Sequence, residues 1–169
     1  MRKMVGIFVG IFFALSITSP LWARTQTADP RFIMVEIPED SIPCTAILQS
    51  ELESIYSKYN RAAESGNFEE FHKYMVEYNA TLNKKSLEYL NKEKLKEKKK
   101  WLQGLASKNF SAQACLMSPS TETAAETAAL AYTGMDSWQG TLVDGRGAIV
   151  FKKEGNFWKV QTVHWTPDL

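Results

Sequence analysis

The side chains with the most distinctive chemistry in this sequence are two cysteines, Cys44 and Cys115, and two histidines, His72 and His164. In an oxidising compartment an even pair of cysteines more often forms a disulfide than two free thiols. We therefore predict a bond between Cys44 and Cys115, the alternative being two buried free cysteines that pack as small apolar residues. Two thiols alone cannot form a structural zinc site, and the histidines lack the spacing that would complete one. Neither a metal nor a cofactor is expected.

Sequence motifs that would identify an enzyme are not found. The chain has no Gly-x-Ser-x-Gly nucleophile elbow, no P-loop and no Gly-x-Gly-x-x-Gly stretch. Residue types and spacing alone therefore predict no catalytic residue, and any function has to be inferred from the fold and the compartment.

Length, composition and charge are those of one ordinary globular domain. The chain has 169 residues, 44% of them hydrophobic and 23% charged, with a formal net charge of +1. Without Arg2 and Lys3, which precede the first apolar run, 18 basic residues remain against 19 acidic ones. A nucleic-acid-binding protein would need a clear basic excess, so we expect no nucleic-acid partner.

The first residues have the pattern of a secretory signal. Arg2 and Lys3 precede an uninterrupted apolar run at residues 4–17, and Pro20 breaks the run shortly before a small residue, Ala23. We predict a signal peptide at residues 1–23, cleaved after Ala23, and hence an exported, periplasmic or secreted, domain with no stable membrane anchor. The alternative is an uncleaved anchor, because the apolar stretch is about long enough to span a bilayer.

Residues 24–43 are predicted to form an extended N-terminal arm or an edge strand, because prolines bound their apolar stretch. From residue 45 the apolar spacing changes to three and four, which predicts an amphipathic helix that ends at Gly66. Asn67 and Glu70 resemble a capping box at the start of a second helix, which the apolar spacing extends to Leu82. A third helix is expected at about residues 87–105.

The third predicted helix includes most of a lysine-rich run, with eight lysines against three acidic residues at positions 84–100. Glu93 and Glu97 lie four residues apart among these lysines, which is typical of a solvated helix face with local ion pairs. Four residues are expected to form the apolar side of the helix: Leu95, Trp101, Leu102 and Leu105. An anion-binding or membrane-surface role is the alternative interpretation.

After Gly104 the pattern becomes that of β-strands. Four strands are predicted, at residues 110–116, 123–133, 142–151 and 157–165. The last two flank Gly155 and Asn156 and form a β-hairpin. Strict alternation places four residues on its helix-facing side: Trp158, Val160, Thr162 and His164. Helices followed by an antiparallel meander predict an α+β fold, with a curved sheet wrapped over about three N-terminal helices.

This order of elements resembles the nuclear transport factor 2-like superfamily over about residues 45–165. The residues that carry the resemblance are the Ser65–Phe68 corner, the segments AYTG at Ala131–Gly134 and GAIVFK at Gly147–Lys152, and GNFWKV at Gly155–Val160. The resemblance implies a cone-shaped domain at residues 44–169, whose concave sheet and helices enclose a pocket and whose outer sheet face often forms dimers. The superfamily includes enzymes and non-enzymatic modules, so membership alone does not identify a function.

Two non-catalytic functions are compatible with this resemblance. The first is binding of a small apolar or aromatic ligand in the cone. Six residues are expected to line it: Tyr56, Tyr59, Phe71, Tyr132, Trp158 and His164. Plain core packing is the alternative for each of them. The second is a protein-interaction subunit or homodimer that uses an outer sheet face formed by Phe157, Val163 and Trp165.

The third function is a pocket enzyme of the isomerase or dehydratase type. In the superfamily's isomerases an aspartate base works opposite a tyrosine and a protonated carboxylic acid in an apolar pocket. The resemblance offers four residues for such roles: His164, Tyr56, Tyr132 and Asp136. Asp136 follows Gly134 in a predicted loop, however, which favours a surface carboxylate. We therefore expect a protein that is not an enzyme.

Overall fold

A computed structural model describes residues 5–7, 35–37, 40–119, 125–138 and 141–168. Most of the predicted signal peptide lies outside these residues, and only its strand β1 (Val5–Ile7) is described. Most of the predicted arm also lies outside them, and only its residues 35–37 and 40–43 are described. Strand β1 pairs antiparallel with β2 (Val35–Ile37) in a small separate sheet. No helix in the described ranges is long and apolar enough to cross a membrane.

Helices occupy the first half of the described domain. Among the described residues there are four: α1 (Ala46–Ser65), α2 (Phe68–Lys73), α3 (Glu77–Glu88) and α4 (Lys92–Gly104). The cap residues act largely as predicted, since Gly66 ends α1 in the left-handed conformation and the Asn67 side chain accepts from the Glu70 amide. The Glu70 carboxylate, however, does not complete the predicted capping box, because it accepts hydrogen bonds from the Lys73 and Tyr74 side chains instead.

The second predicted helix is divided into α2 and α3 by a contact with the last strand. The Val160 amide donates to the Tyr74 carbonyl, and the Val76 amide donates to the Val160 carbonyl. These two bonds hold the chain extended between α2 and α3, so the apolar spacing that runs through residues 68–82 does not produce one continuous helix. They also cover part of an edge strand that would otherwise expose unpaired backbone groups.

The described sheet is curved and antiparallel, as predicted, and has the strand order β3-β4-β5-β6-β7. Its strands are β3 (Ile42–Pro43), β4 (Lys108–Ser118), β5 (Thr127–Trp138), β6 (Thr141–Glu154) and β7 (Phe157–Pro167). The end of the predicted arm thus forms the short edge strand β3, which pairs with Leu116 and Met117. The α+β fold class is confirmed.

The core lies between helix α1 and the inner face of the sheet. Leu52 and Tyr56 of α1 are buried there against residues of four strands. The fully buried strand residues of this core are Leu130, Tyr132, Ile149 and Phe151. A second, smaller cluster joins α1, α2 and α4, and consists of Ala62, Ala63, Phe71, Leu102 and Ala106. The sheet therefore packs on α1, and helices α2 and α4 pack on the far end of α1.

A β-bulge at Gln161 reverses the predicted facing of the last strand. Val160 pairs with Phe151, and Thr162 pairs with the adjacent residue Val150, which leaves Gln161 without a partner on β6. The prediction that His164 shares the helix-facing side with Trp158 is therefore wrong. The cause is tertiary, because residues 74–76 bind the backbone of Val160 and the Asn79 side chain donates to the Gln161 carbonyl.

The same bulge removes the outer face that was predicted from Phe157, Val163 and Trp165. Val163 pairs with the buried Ile149 and packs against the core, as does Trp165. Phe157 remains 71% exposed beside the hairpin turn. These three side chains therefore do not form one continuous surface.

The predicted disulfide between Cys44 and Cys115 is present. The two Cα atoms are 5.3 Å apart, and the Cys44 amide also donates to the Cys115 carbonyl. The bond fixes Cys44, the residue before the N-cap of α1, to strand β4. It therefore holds the start of the helical layer against the sheet that this layer covers.

Candidate functional site

A buried pair of hydroxyl groups joins α1 to the start of β4. Tyr56 Oη lies 3.1 Å from Ser107 Oγ, and both residues are buried. Asn60, one helical turn after Tyr56, binds the backbone of Ser107 twice: its Nδ2 donates to the Ser107 carbonyl, and its Oδ1 accepts from the Ser107 amide. Asn60 thus fixes the position of Ser107, and Ser107 in turn orients the Tyr56 hydroxyl.

Two further polar side chains lie on the inner face of β5. Tyr132 pairs across the sheet with Gly147, and Asp136, four residues later, pairs with Val143. Residues four apart on a strand share a face. Tyr132 Oη and Asp136 Oδ1 are both buried, and neither forms a hydrogen bond of standard geometry within the described part of the chain. Such atoms are rare in folded proteins and call for an explanation.

The position of Asp136 differs from the sequence interpretation, which favoured a surface loop carboxylate. Gly134 does not end the strand; it pairs with Gly145 inside the sheet, and β5 continues to Trp138. Asp136 is consequently a strand-borne, partly buried acid on the same face as Tyr132. A glycine inside a strand marks close approach of neighbouring groups as often as an end.

Aromatic rings surround the buried hydroxyl groups. Ring centroids of Tyr56 and Tyr132 are 5.8 Å apart, and Phe110 lies 4.8 Å from Tyr56 and 5.3 Å from Tyr132. Tyr59 extends this cluster from Tyr56 to Phe71, with centroid separations of 5.9 Å and 4.3 Å. Phe110 was not singled out in the sequence, although its place at the start of a predicted strand was a usable signal.

Two glycines allow rings to lie flat on the sheet. A Cβ atom at Gly147 would lie 2.6 Å from the Tyr132 ring, and one at Gly145 would lie 2.6 Å from the Trp165 ring. Side chains at these two positions would therefore displace Tyr132 and Trp165. The inner face of the sheet beside Asp136 is thus an aromatic floor, which we define as the rings of Tyr132 and Trp165.

The structure brings together four of the six predicted lining residues: Tyr56, Tyr59, Phe71 and Tyr132. Trp158 lies in the same core, packed among its buried residues. His164 does not belong to this group, because it lies on the outer face, where its ring nitrogen is 3.3 Å from the Thr162 hydroxyl. Ser107 and Asn60 were not predicted, since no local pattern links residues so far apart in sequence.

Burial controls the protonation of these groups. Burial raises the pKa of Tyr56 to about 12, and it also raises the pKa values of Tyr59 and Tyr132. The three phenols are therefore neutral hydrogen-bond groups at ordinary pH. Burial raises the pKa of Asp136 as well, an effect that the nearby Ser107 and Tyr132 hydroxyls partly oppose. Burial lowers the pKa of His164 on the opposite face.

Together, Tyr132 and Asp136 can act on one polar group of a ligand. The neutral phenol can donate a hydrogen bond, and the carboxyl group can accept or donate one according to its protonation state. Among the described residues, no group of three or more His, Cys, Asp or Glu side chains is placed to hold a metal ion.

Comparisons with known proteins give one structural similarity. Neither a protein-family model nor a curated protein sequence matches this chain. The fold is similar to the crystal structure of a candidate dehydratase from the NTF2-like family of Streptomyces avermitilis, with a TM-score of 0.43 and 14% identity over 74% of this chain and 99% of that chain. The described domain is an α+β protein whose order of elements, helices and then an antiparallel curved sheet, is the one that its resemblance to the nuclear transport factor 2-like superfamily predicts.

Proposed function

We propose that the protein is an exported, non-catalytic binding domain for a small ligand that combines an aromatic or apolar body with one hydrogen-bonding group. The observation that supports this most is the pair of buried oxygens, Tyr132 Oη and Asp136 Oδ1, on one face of β5. A buried polar atom without a partner costs about 1–3 kcal/mol. A ligand group that binds both atoms relieves that cost.

The neighbouring side chains define how such a ligand is oriented. Tyr132 is 1% exposed, whereas Asp136 is only partly buried, so a ligand approaches from the Asp136 side. Its polar group lies between Asp136 and Tyr132, and its apolar body lies on the partly buried Trp165 ring of the aromatic floor. Stacking of aromatic groups on such rings contributes about 0.5–1.5 kcal/mol beyond the area buried.

The test is a fluorescence titration with 2-naphthol, an aromatic probe whose single hydroxyl group can donate to Asp136 and accept from Tyr132. We expect saturable binding to the wild type and about tenfold weaker binding to Tyr132→Phe, the loss of one buried hydrogen bond. His164→Ala is the matched control on the opposite face and should bind like the wild type. Equal affinities of the wild type and Tyr132→Phe would overturn the assignment of the polar end.

A second candidate function, proton transfer on the bound ligand, is favoured by one observation. Asp136 is a partly buried acid whose pKa is raised by burial and which lies next to a neutral phenol. A carboxyl group whose pKa moves toward the working pH can take up and return a proton. Its test is deuterium exchange at the α-carbon of 2-indanone in heavy water, followed by nuclear magnetic resonance. Exchange that is accelerated by the wild type and lost in Asp136→Asn would establish catalysis, and no acceleration would exclude it for this ketone.

A further inference from the structure

Helix α4 exposes most of the side chains that were predicted to form its apolar side. Of the four residues predicted to form its apolar side, only Leu102 is fully buried, whereas Trp101 is 48%, Leu105 43% and Leu95 40% exposed. The other three residues remain exposed because the cluster that α4 joins is small and made largely of alanines. Trp101 and Leu105 are four residues apart and so lie on one side of the helix, where adjoining exposed apolar side chains can form a contact surface.

The charges around these residues are not neutralised locally. Residues 84–100 contain eight lysines and three glutamates. Within the described part of the chain, none of these lysines forms a salt bridge, so the ion pairs predicted with Glu93 and Glu97 are not formed. The Lys98 ammonium group instead lies 3.6 Å from the centroid of the Trp101 ring. The segment therefore presents unpaired positive charge next to exposed aromatic and aliphatic groups.

Helical spacing aligns these cations with the apolar groups. Lys94, Lys98, Trp101 and Leu105 follow one another at intervals of four, three and four residues, which places them along one side of α4. We call these four residues the α4 stripe. It carries two cations at one end and two exposed apolar side chains at the other.

We propose that the α4 stripe is a peripheral contact site for membranes that contain anionic lipids. Lysine clusters are attracted to anionic lipid headgroups, and tryptophan prefers the boundary between headgroups and acyl chains. A helix that combines a cationic side with exposed Trp and Leu residues can lie in that boundary.

The composition of the segment favours a lipid surface over an acidic protein partner. Residues 84–105 contain no arginine, although protein interfaces are enriched in Arg and depleted in Lys. Arg provides a planar fork that suits fixed carboxylates, whereas Lys is a flexible point charge. Diffuse attraction to many lipid headgroups requires only flexible point charges such as those of Lys. The proposal is independent of the ligand site, because the α4 stripe lies on a helix whereas Tyr132 and Asp136 lie on the inner face of the sheet.

The test is co-sedimentation of the full-length chain with lipid vesicles. One set contains about 30% phosphatidylglycerol in phosphatidylcholine and the other phosphatidylcholine alone, both at about 0.1 M salt, where surface charges still interact. The comparison between variants isolates the α4 stripe, because any contribution of Arg2, Lys3 and the apolar run at residues 4–17 is common to all variants. We expect tighter binding to the anionic vesicles, reduced about tenfold or more by Lys94→Glu with Lys98→Glu.

Two further variants make the result specific. Lys58→Glu with Arg61→Glu changes the net charge equally at exposed positions of α1 and should keep the anionic preference. Trp101→Ala leaves the charge unchanged and should weaken binding about threefold or more. Circular dichroism checks that each variant is folded, and Lys94→Gln with Lys98→Gln replaces the reversed pair if it is not.

Three outcomes would overturn the proposal. The first is no preference of the wild type for anionic vesicles. The second is equal loss of binding in the α1 control, which would reflect net charge alone. The third is binding to heparin that is as tight as binding to the anionic vesicles and that Trp101→Ala does not change. This result would assign the surface to a soluble acidic macromolecule.

Discussion

Tyr132 and Asp136 lie four residues apart on the inner face of β5, and each carries a buried oxygen that forms no hydrogen bond of standard geometry in the described ranges, although the Tyr132 hydroxyl lies near enough to oppose the rise in the Asp136 pKa. The nearby Tyr56 hydroxyl, in contrast, is paired with Ser107. The same core thus contains one phenol with a hydrogen bond of standard geometry and one phenol without such a bond, and their rings are 5.8 Å apart. This difference separates a structural hydroxyl group from one available to a ligand.

Removing each of the two phenolic hydroxyl groups should therefore have a different effect on the free energy of unfolding. Tyr56→Phe loses the buried hydrogen bond to Ser107, so the free energy of unfolding should fall by about 1–2 kcal/mol. Tyr132→Phe removes a buried hydroxyl group that forms no hydrogen bond of standard geometry, so its stability should be unchanged or up to about 1 kcal/mol higher. Urea unfolding of the ligand-free proteins measures both. A larger loss for Tyr132→Phe than for Tyr56→Phe would show that the Tyr132 hydroxyl is already bonded.

Asp136 should give the stability of the protein a specific pH dependence. Because burial raises its pKa above the ordinary value of 3.8, the folded protein binds this proton more tightly than the unfolded chain does. The free energy of unfolding therefore falls as the pH rises from that value through the folded pKa. Asp136→Asn should lack this decrease and gain stability relative to the wild type over the same interval.

The measurement is urea unfolding of both proteins at a series of pH values, with the exposed Asp40→Asn as control. The control should follow the wild type. A constant difference in stability between Asp136→Asn and the wild type at all pH values would contradict the burial of this carboxyl group.

The Cys44–Cys115 bond should contribute strongly to stability. It closes a sequence separation of 71 residues, and closing a loop of that size restricts the unfolded chain by about 4 kcal/mol. Reductant, or Cys44→Ser without reductant, should lower the unfolding temperature by about 10 °C. Mass spectrometry supplies the control, because protein purified from an oxidising compartment should contain no free thiol. Two free thiols in that protein would refute the prediction.

Asn79 should stabilise the bulge in β7. Its side chain donates to the Gln161 carbonyl at 2.8 Å, so Asn79→Ala should cost about 1 kcal/mol and speed exchange of the Val160 amide hydrogen. Asn83→Ala is a matched control, because Asn83 lies one turn later on α3 and binds His72 instead of the strand. Unchanged exchange at Val160 in Asn79→Ala would show that the backbone bonds to residues 74–76 hold the bulge alone.

Features with a local signal could be predicted from the sequence. Apolar spacing, the glycine at Gly66 and the Asn67 cap located α1 and the start of α2, and alternation located the four main strands. The Cys44–Cys115 pair was predictable because the chain has only two cysteines. Each of these features depends on residues close in sequence or on a unique pairing.

Features set by tertiary contacts could not be predicted in this way. The face of His164 depends on a bulge that residues 74–79 impose from outside the strand. The burial of Asp136 depends on Gly134 pairing with Gly145 inside the sheet, and alternation alone cannot distinguish that from a strand end. The two hydrogen bonds between the Asn60 side chain and the Ser107 backbone join residues 47 positions apart. No sequence motif exists for such a pair.

The central claim, that Tyr132 and Asp136 together bind one polar group of a ligand, is tested most directly by a double-mutant cycle. Calorimetry would measure 2-naphthol binding to the wild type, Tyr132→Phe, Asp136→Asn and the double variant, with naphthalene as the matched probe without a hydroxyl group. We predict about tenfold weaker 2-naphthol binding for each single variant and less than a hundredfold for the double variant, because both side chains bind the same hydroxyl group. Naphthalene should bind all four proteins equally. The same 2-naphthol affinity in all four proteins, or no saturable binding to the wild type, would contradict the claim.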